Sequence, residues 1–499
     1  MEGRSSVPAM NARHSRWRVF VRRSEHWCEP ERVFTHLFAD EERAFWLDSS
    51  LVAGGLSRFS YMGASASPRS RDVRFDVAAQ RIEIGSSSAR CDSLFAYLSR
   101  ELAAQTCDAV DLPFDFHGGY VGYFGYELKA ECGASNTHRA RTPDALFLFI
   151  DRFLAFDHLT REIYLARLAP ADTPAVAENW LDATQRQLGV LPPLPPVVNE
   201  KGARLDFRLQ QSHGDYLESI SQCKQYLRSG DSYELCLTNQ LVAHAHVDPF
   251  TAYRNLRRLN PAPYATYLRC GSLAVLCSSP ERFLRIDRDR HVEARPIKGT
   301  AGRGDTPEAD HAAREALRAS EKDRAEHVMI VDLLRNDLGR VCEVGSVTVP
   351  ILMGIETYQT VHQMVSTIRG VLRPEITPIA CVQAAFPGGS MTGAPKLRTM
   401  QLLDQLEVSA RGIYAGALGF LSLNGAVDLN IVIRTIVLRG DSASIGVGGA
   451  IVMQSDPEAE FDEMLLKGQA PMRALGLTAT GRDDESAWRV INGRPRSLL

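Results

Sequence analysis

The chain has 499 residues, of which 44% are hydrophobic and 23% charged, and its formal net charge is -3. This composition is typical of a globular protein and excludes a disordered or collagen-like chain. Because a net charge so close to zero exerts no general attraction on nucleic acid or an anionic membrane, an anionic ligand has to be bound by a local group of side chains.

Cysteine spacing and hydropathy further narrow the class of protein. The ten cysteines are scattered, without a Cys-x-x-Cys pair or a Cys/His group at zinc spacing. No apolar run reaches the roughly 20 residues that a membrane-spanning helix needs. We therefore expect reduced thiols and a cytoplasmic enzyme, with neither nucleic acid nor a membrane as partner. The arginine-rich start, up to Arg23, is also typical of a transit peptide, and we interpret it as a disordered tail.

A Pro-rich segment, 191–204, divides the chain because it favours extended polyproline geometry. The resulting prediction is an N-terminal region at 14–190, a catalytic region at 205–476 and a C-terminal tail at 477–499. Runs of β-branched and aromatic residues predict strands in the first region at 43–50, 145–156 and 162–168.

The second region alternates helix and strand signals, which predict a large α+β fold. Helical spacing of apolar residues predicts helices at 215–229, 306–338 and 457–475. The middle one should break into two helices, with one apolar stripe formed by Val328, Val331, Leu334 and Leu338. Strands are predicted at 233–242, 415–423, 428–438 and 444–452.

Two pairs of carboxylates lie on predicted helices. Asp323 and Glu326 are three residues apart, as are Glu460 and Glu463, so each pair projects from one helix face. Lys467 follows one turn beyond Glu463. Mg²⁺ prefers oxygen ligands and often bridges one or two carboxylates to an anionic substrate, so converging faces would form a Mg²⁺ site. Solvated helix faces with ordinary ion pairs are the alternative.

Two glycine-rich segments could bind an anion through main-chain amides. FPGGSMTGAPK, which contains Thr392 and Gly393, lacks the Gly-Lys-Ser/Thr order of a Walker nucleotide loop. Gly448 and Gly449 fall in a predicted strand, where a ligand carboxylate could approach closely. A turn or bulge is the alternative for each. Arg434 interrupts the apolar run NIVIRTIVL, so it either clamps a substrate carboxylate or forms a structural ion pair.

Three further side chains are candidates for catalysis. Lys298 in PIKGT becomes nucleophilic only when neutral, and a neighbouring cation such as Arg295, or burial, would lower its pKa. An ordinary exposed lysine is the alternative. Glu281 in SPERF could act as acid and base if burial raised its pKa, although a salt bridge with Arg282 or Arg285 is the alternative. His362 in TVHQMVS either faces the site from a strand or is a core histidine.

The chain resembles the chorismate-utilising enzyme family, which includes anthranilate-forming, chorismate-aminating and isochorismate-forming members. Eight motifs carry the resemblance in family order between residues 278 and 463: SPERF, PIKGT, KDRAEHVMIVDLLRNDLGR, FPGGSMTGAPK, GALGF, IVIRTIV, GGAIV and EAEFDE. WLDSS and GGYVGYFGYELK resemble the family's N-terminal region. The resemblance implies two large sheets flanked by helices, with both parts of the chain interleaved.

The resemblance also implies roles for the candidate residues. Mg²⁺ on Glu326 and Glu463, with Asp323 and Glu460 nearby, would hold the ring carboxylate of chorismate. The carboxylates and the rest of the substrate would be contacted by Arg434, Thr392, Gly393, Tyr414, Gly448, Gly449 and Lys467. The lysine of PIKGT is the covalent nucleophile of members that aminate chorismate at C4, whereas anthranilate-forming members typically carry alanine there. Lys298 would attack C2, the C4 hydroxyl would leave with a proton from Glu281, and ammonia would add at C4.

One position departs from the family pattern. Glu234 in YELCL occupies a place that is often glutamine in amine-forming members and lysine in water-adding ones. The carboxylate argues against water addition and could orient or deprotonate an ammonium nucleophile. The expected product is 4-amino-4-deoxychorismate, for p-aminobenzoate and folate synthesis.

The resemblance implies a partner and a second ligand. The chain carries no recognisable glutaminase sequence, so ammonia would come from a separate glutamine amidotransferase subunit. Residues similar to a tryptophan site of the family are Ser49, Ser50, Tyr233, Pro261 and Tyr264. Two other interpretations stay open: an anthranilate-forming component, which would also eliminate pyruvate, and a catalytically silent subunit that senses tryptophan or assists a partner.

Overall fold

The computed structural model describes residues 15–51, 57–67, 70–108, 110–171, 173–358 and 361–493. Within these ranges the helices are α1 Pro30–Leu37, α2 Leu94–Ala103, α3 Pro174–Gly189, α4 His213–Arg228, α5 Pro249–Leu259, α6 Pro307–Ala319, α7 Glu321–Gly339, α8 Pro378–Ala385, α9 Lys396–Leu406 and α10 Pro457–Thr480. Three 3₁₀ helices are also present: Tyr126–Cys132, Gly389–Met391 and Glu485–Ala487.

The strands of the first half are β1 Ser15–Arg23, β2 Arg43–Asp48, β3 Phe59–Ala64, β4 Asp72–Asp76, β5 Arg81–Ile84, β6 Ser87–Arg90, β7 Gln105–Cys107, β8 Gly119–Phe124, β9 Ala145–Ile150, β10 Arg152–Asp157, β11 Glu162–Pro170, β12 Leu205–Leu209 and β13 Glu234–His244. Those of the second half are β14 Tyr264–Cys270, β15 Leu273–Ser279, β16 Arg282–Ile286, β17 His291–Arg295, β18 Ile297–Gly302, β19 Thr348–Thr357, β20 Val361–Val371, β21 Gly393–Ala394, β22 Ala417–Ser422, β23 Val427–Ile431, β24 Thr435–Arg439, β25 Ser442–Ile451 and β26 Trp488–Ile491.

Two large sheets contain these strands. The first runs β26-β12-β13-β25-β24-β15-β14-β2-β3-β10-β11-β1-β7, with β21 paired to β13. The second runs β18-β20-β17-β16-β23-β22-β8-β9-β4-β5-β6, with β19 paired to β20. Each sheet takes strands from both sides of the extended segment 191–204, so the two parts of the chain are interleaved. The α+β fold with two sheets and flanking helices is confirmed.

Aromatic side chains fill part of the space between the sheets. The ring of Phe116 lies 4.7 Å from that of Phe153 in β10 and 5.1 Å from that of Phe420 in β22. Tyr61 in β3 meets Phe116 edge-on at 5.6 Å. All four are buried, and because aromatic rings bury large apolar areas, this cluster stabilises the packing of one sheet against the other.

Most predicted elements are present, with five corrections. The predicted strand 145–156 is two strands, β9 and β10, and the predicted strand 428–438 is also two, β23 and β24, which belong to different sheets. The tail predicted at the N-terminus includes β1 from residue 15 onward, while residues 1–14 lie outside the described part. The segment predicted as a C-terminal tail completes α10 and contributes β26, which pairs with β12. Val328 is 43% exposed, unlike the rest of its stripe.

Helix α6 and helix α7 confirm the predicted break within 306–338. In the ranges that the structure describes, no helix has the length and apolarity that crossing a membrane would require. The division into regions at 191–204 stays a prediction, although that segment is extended throughout.

Candidate active site

A lysine whose side chain is only 11% exposed joins the two sheets at the candidate site. Lys298 in β18, from the second sheet, donates from Nζ to Glu234 Oε1 at 2.5 Å, and Glu234 begins β13 of the first sheet. The same Nζ lies 3.9 Å from Glu326 Oε2 in α7. Glycine follows the lysine with φ +79°, and a Cβ at Gly299 would lie 2.9 Å from Leu317 and 3.0 Å from Asp323. A side chain there would push α7 away from β18.

The charge of Lys298 is set by its acidic neighbours. Burial alone would lower its pKa, but Glu234 and then Glu326 outweigh burial and raise it, so the resting side chain is an ammonium. The expected cationic neighbour, Arg295, pairs instead with Glu356. The prediction of a pKa lowered by Arg295 is therefore wrong, since carboxylates surround this lysine.

Glu281 lies between β15 and β16, with only 6% of its surface exposed. Burial raises its pKa to about 7, against the opposing effects of the Ser390 hydroxyl, the Lys298 charge and the main chain of Ile297. Neither predicted salt bridge forms, because Arg282 pairs with Asp428 and Glu293 and Arg285 pairs with Asp115. Glu281 therefore has the burial and the pKa that a carboxylic acid needs to donate a proton near neutral pH.

The two acidic helix faces meet through a lysine that the sequence did not single out. Lys322 of α7 reaches Glu460 Oε1 of α10 at 2.9 Å, and Ser455 donates to the same oxygen at 2.6 Å. Glu326 is buried, its Oε1 has no hydrogen-bond partner, and burial raises its pKa to about 7. Lys322 precedes Asp323 in the same acidic motif, so its position on α7 was the available signal.

Glu463 and Asp323 lie at the edge of this cluster. Glu463 pairs with Lys467 at 2.7 Å, and the attraction of Lys467, Lys322 and Lys298 outweighs burial to lower its pKa. Asp323 sits against Gly299, and its amide donates to Ser320 at the start of α7. Among residues with described placement, no three His, Cys, Asp or Glu side chains converge in metal-binding geometry.

These residues suit Mg²⁺, which usually binds to a protein through few side-chain ligands. Mg²⁺ commonly takes one or two carboxylates and completes its shell with water and substrate oxygens. The unpartnered Oε1 of buried Glu326 is an acceptor of the required kind, and the exposed carboxylate of Glu463 is another. Lys322 and Lys467 neutralise part of the acidic charge in this structure.

A strip of main chain and one arginine border the acidic cluster. Lys467 donates to the carbonyl oxygen of Gly448 at 3.2 Å, and a Cβ at Gly449 would lie 3.3 Å from Glu460 Oε2. Arg434 stands between β23 and β24 with φ +53°, and burial lowers its pKa. Its guanidinium makes no ion pair or hydrogen bond with any described residue, so the structural ion pair is not formed. An arginine of this kind can clamp a carboxylate.

The remaining candidates are Tyr414, Thr392, Gly393 and His362. Tyr414 is buried against β25, where a Cβ at Gly446 would lie 2.0 Å from its ring. Thr392 is buried and hydrogen-bonds within its own loop, and Gly393, with φ +141°, pairs with Leu235 beside Glu234. His362 is buried, and its ring nitrogens contact the Thr357 hydroxyl at 2.9 Å and the Asp310 carboxylate at 3.0 Å, so its part in catalysis stays a prediction.

The predicted tryptophan residues are only partly brought together. Ser49 and Tyr264 line a cavity of about 70 Å³, and Ser50 hydrogen-bonds to both main-chain groups of Ala262, next to Pro261. Tyr233 is not among the lining residues and stands 64% exposed beside Glu234. The cavity is well below the roughly 300 Å³ of usual ligand pockets, so tryptophan would require it to expand.

Comparison with known proteins agrees with this site. Residues 65–473 match the chorismate binding enzyme family, and the chain belongs to that family. It is 48% identical over 483 residues to aminodeoxychorismate synthase of Streptomyces pristinaespiralis, covering 94% of this chain and 67% of that protein. It is 45% identical over 490 residues to probable aminodeoxychorismate synthase, chloroplastic, of Oryza sativa subsp. japonica, covering 89% and 55%.

The fold is similar to a solved structure as well. Anthranilate synthase component I from Streptococcus pneumoniae TIGR4 superposes with a TM-score of 0.74 at 28% identity, covering 89% of this chain and 98% of that chain. The curated relatives are longer than this chain, which spans about two thirds of the Streptomyces protein and about half of the rice protein.

Proposed function

We propose that this chain aminates chorismate at C4 to give 4-amino-4-deoxychorismate, the reaction of an aminodeoxychorismate synthase. The observation that carries the proposal is the position of Lys298, whose largely enclosed ammonium lies between Glu234 and Glu326. Family membership supports chorismate as the substrate, and the identity to aminodeoxychorismate synthases supports amination over anthranilate formation.

Binding would use the charged groups at the edge of the cluster. Arg434 is free to pair with a substrate carboxylate, and the main chain at Gly448 and Gly449 lets a second carboxylate approach closely. Glu326 and Glu463 would hold Mg²⁺, which when bound supplies positive charge for the ring carboxylate. Tyr414 and Thr392 would line the chorismate-binding site.

The reaction would use covalent catalysis by Lys298. After its ammonium gives up a proton, for which Glu234 is the nearest acceptor, the amine attacks C2 and both conjugated ring double bonds shift toward C4. The C4 hydroxyl leaves as water with the proton of Glu281, whose pKa of about 7 suits that role. Ammonia then adds at C4, both double bonds return to their original positions, and Lys298 is expelled as the amine. The enolpyruvyl group stays attached.

Ammonia, location and regulation are further parts of the proposal. A glutamine amidotransferase would supply ammonia, and the greater length of the curated relatives is compatible with an additional module. All ten cysteines are free thiols, which supports a reducing cytoplasmic setting. Tryptophan as a structural or regulatory ligand would require the small Ser49 cavity to expand, and the product would serve p-aminobenzoate and folate synthesis.

The test is the mass of the product formed from chorismate, Mg²⁺ and an ammonium salt. Wild-type protein should form an amino-substituted product that retains the enolpyruvyl group, and Lys298→Ala should reduce its formation by at least about a thousandfold, as expected for removal of a covalent nucleophile. Lys201→Ala, which removes an exposed lysine of the extended segment, is the matched control and should leave the rate unchanged.

Other products would point elsewhere. Anthranilate with loss of pyruvate would assign the anthranilate-forming reaction. No conversion, even with a competent amidotransferase, would favour a silent subunit.

A further inference from the structure

A buried arginine, Arg411, connects segments that border the site without itself reaching Lys298. Its Nη1 donates to the carbonyl oxygen of Met391 at 2.6 Å, and its Nη2 donates to the carbonyl oxygen of Cys236 at 2.8 Å. Its Nε and Nη2 also donate to the two oxygens of Glu407 at 2.9 and 2.6 Å. Only 5% of Arg411 is exposed, so these contacts are made away from solvent.

Each connected segment carries a candidate site residue. Cys236 lies two residues after Glu234 in β13, and Met391 directly precedes Thr392 in the glycine-rich loop. The amide of Cys236 donates to the carbonyl oxygen of Thr392 at 2.9 Å, so the strand and the loop are joined both directly and through Arg411. The guanidinium is therefore a second link between the strand and the loop, beside the direct backbone hydrogen bond.

The arginine is itself held from several sides. The carboxylate of Glu127 accepts from the amides of Arg411 and Gly412, at 2.9 and 3.0 Å. The ring of Tyr126 lies 4.2 Å from the guanidinium carbon, and Glu407 also accepts from Thr238 in β13. Four of the five guanidinium N–H groups have acceptors, an arrangement that the three donors of a lysine cannot reproduce.

We propose that Arg411 is a positioning residue for amination, which sets the placement of Glu234 relative to Lys298 by fixing β13 against the glycine-rich loop. The inference rests on the proposed function of the site. Reacting groups must be held closely, since a displacement of about 1 Å can reduce a rate about a hundredfold. Loss of Arg411 should therefore affect turnover more than chorismate binding, because its contacts do not include Arg434, the proposed carboxylate clamp.

The first experiment is steady-state kinetics of ammonia-dependent amination by Arg411→Lys. We expect kcat to fall between about tenfold and a hundredfold, and the KM for chorismate to change by less than about threefold. The matched control is Arg254→Lys, because Arg254 is a similarly buried arginine that donates to Glu31 at 2.6 Å and to the carbonyl oxygen of Pro195 at 2.8 Å. The control should lower the melting temperature and leave kcat unchanged.

A second variant separates positioning from folding. Arg411→Met with Glu407→Gln removes both charges, so no unpaired buried charge remains to destabilise the protein. It should melt at a higher temperature than Arg411→Met alone and still have the reduced kcat. If folded Arg411→Lys or the double variant turns over at the wild-type rate, the proposal is overturned.

A third measurement does not depend on the reaction. Labelling of Lys298 by an amine-reactive reagent, followed by mass spectrometry and normalised to exposed Lys201, reports whether Glu234 still holds the lysine. We expect labelling of Lys298 to be severalfold faster in Arg411→Lys than in wild type or Arg254→Lys. Unchanged labelling would overturn the positioning role, whereas an inactive wild-type protein would refute only the proposed function.

Discussion

The pH dependence of turnover tests Glu281 as the proton donor. Burial raises the pKa of Glu281 to about 7, a change from its usual value that corresponds to roughly 3 kcal/mol. If the protonated form is required, kcat/KM at saturating Mg²⁺ should fall about tenfold per unit above pH 7. At pH 8 about one tenth of the molecules would retain the proton.

The assay is a profile of kcat/KM for chorismate between pH 5.5 and about 9, with the concentration of free ammonia held constant at every pH. Ser390→Ala should move the falling limb to higher pH, because the Ser390 hydroxyl lowers the pKa of Glu281 in the intact protein. Glu281→Gln should remove the limb and most of the activity. A Glu281→Gln variant that keeps both a comparable rate and a limb near pH 7 would refute this role.

Three further substitutions test the surroundings of the reacting groups. Gly446→Ala places a Cβ 2.0 Å from the Tyr414 ring and should cost about 1 to 3 kcal/mol of stability and raise the KM for chorismate, whereas Gly189→Ala, with no neighbour within 4 Å, should do neither. Glu326→Gln should raise the Mg²⁺ concentration for half-maximal rate by about tenfold or more, and an unchanged Mg²⁺ titration would exclude Glu326 as a ligand. Arg434→Lys should raise the KM for chorismate about tenfold, since one ammonium cannot replace a bidentate fork, and an unaltered KM would contradict carboxylate binding there.

The periodicity of the sequence was sufficient for most of the architecture. The α6 and α7 pair and the strand β25 follow from apolar spacing and turn residues, which are local properties of the chain. What periodicity could not reveal is the sheet to which a strand belongs. The run 428–438 is apolar on both sides of Arg434 and predicts one strand, yet it crosses from the second sheet to the first at that residue. Non-local pairing decides this, and a single sequence contains no direct signal for it.

The sequence predicted which residue types form the candidate site better than it predicted how those residues are arranged. The acidic pairs, the glycines and Arg434 were all visible as motifs, and the structure arranges most of them around Lys298 and α10. The pairing of Lys298 with Glu234 was not predictable, because 64 residues separate them and their contact depends on two strands from different sheets. The neighbours of His362 were not predictable either, because Asp310, which contacts one of its ring nitrogens, lies 52 residues away in the sequence.

The crossing at Arg434 explains why this residue is available for a ligand at all. In a continuous strand, the side chain of Arg434 would point to one face of the sheet. A charge buried on that face would need a partner from the protein. The left-handed backbone at φ +53° instead ends β23 and directs the chain to β24, and no protein carboxylate pairs with Arg434 in the described structure. A non-glycine residue in that region of φ costs roughly 1 kcal/mol or more, which the hydrogen-bonded strands on both sides must offset. The backbone strain and the unpaired guanidinium occur at the same residue. A substrate carboxylate as the partner of Arg434 would account for both.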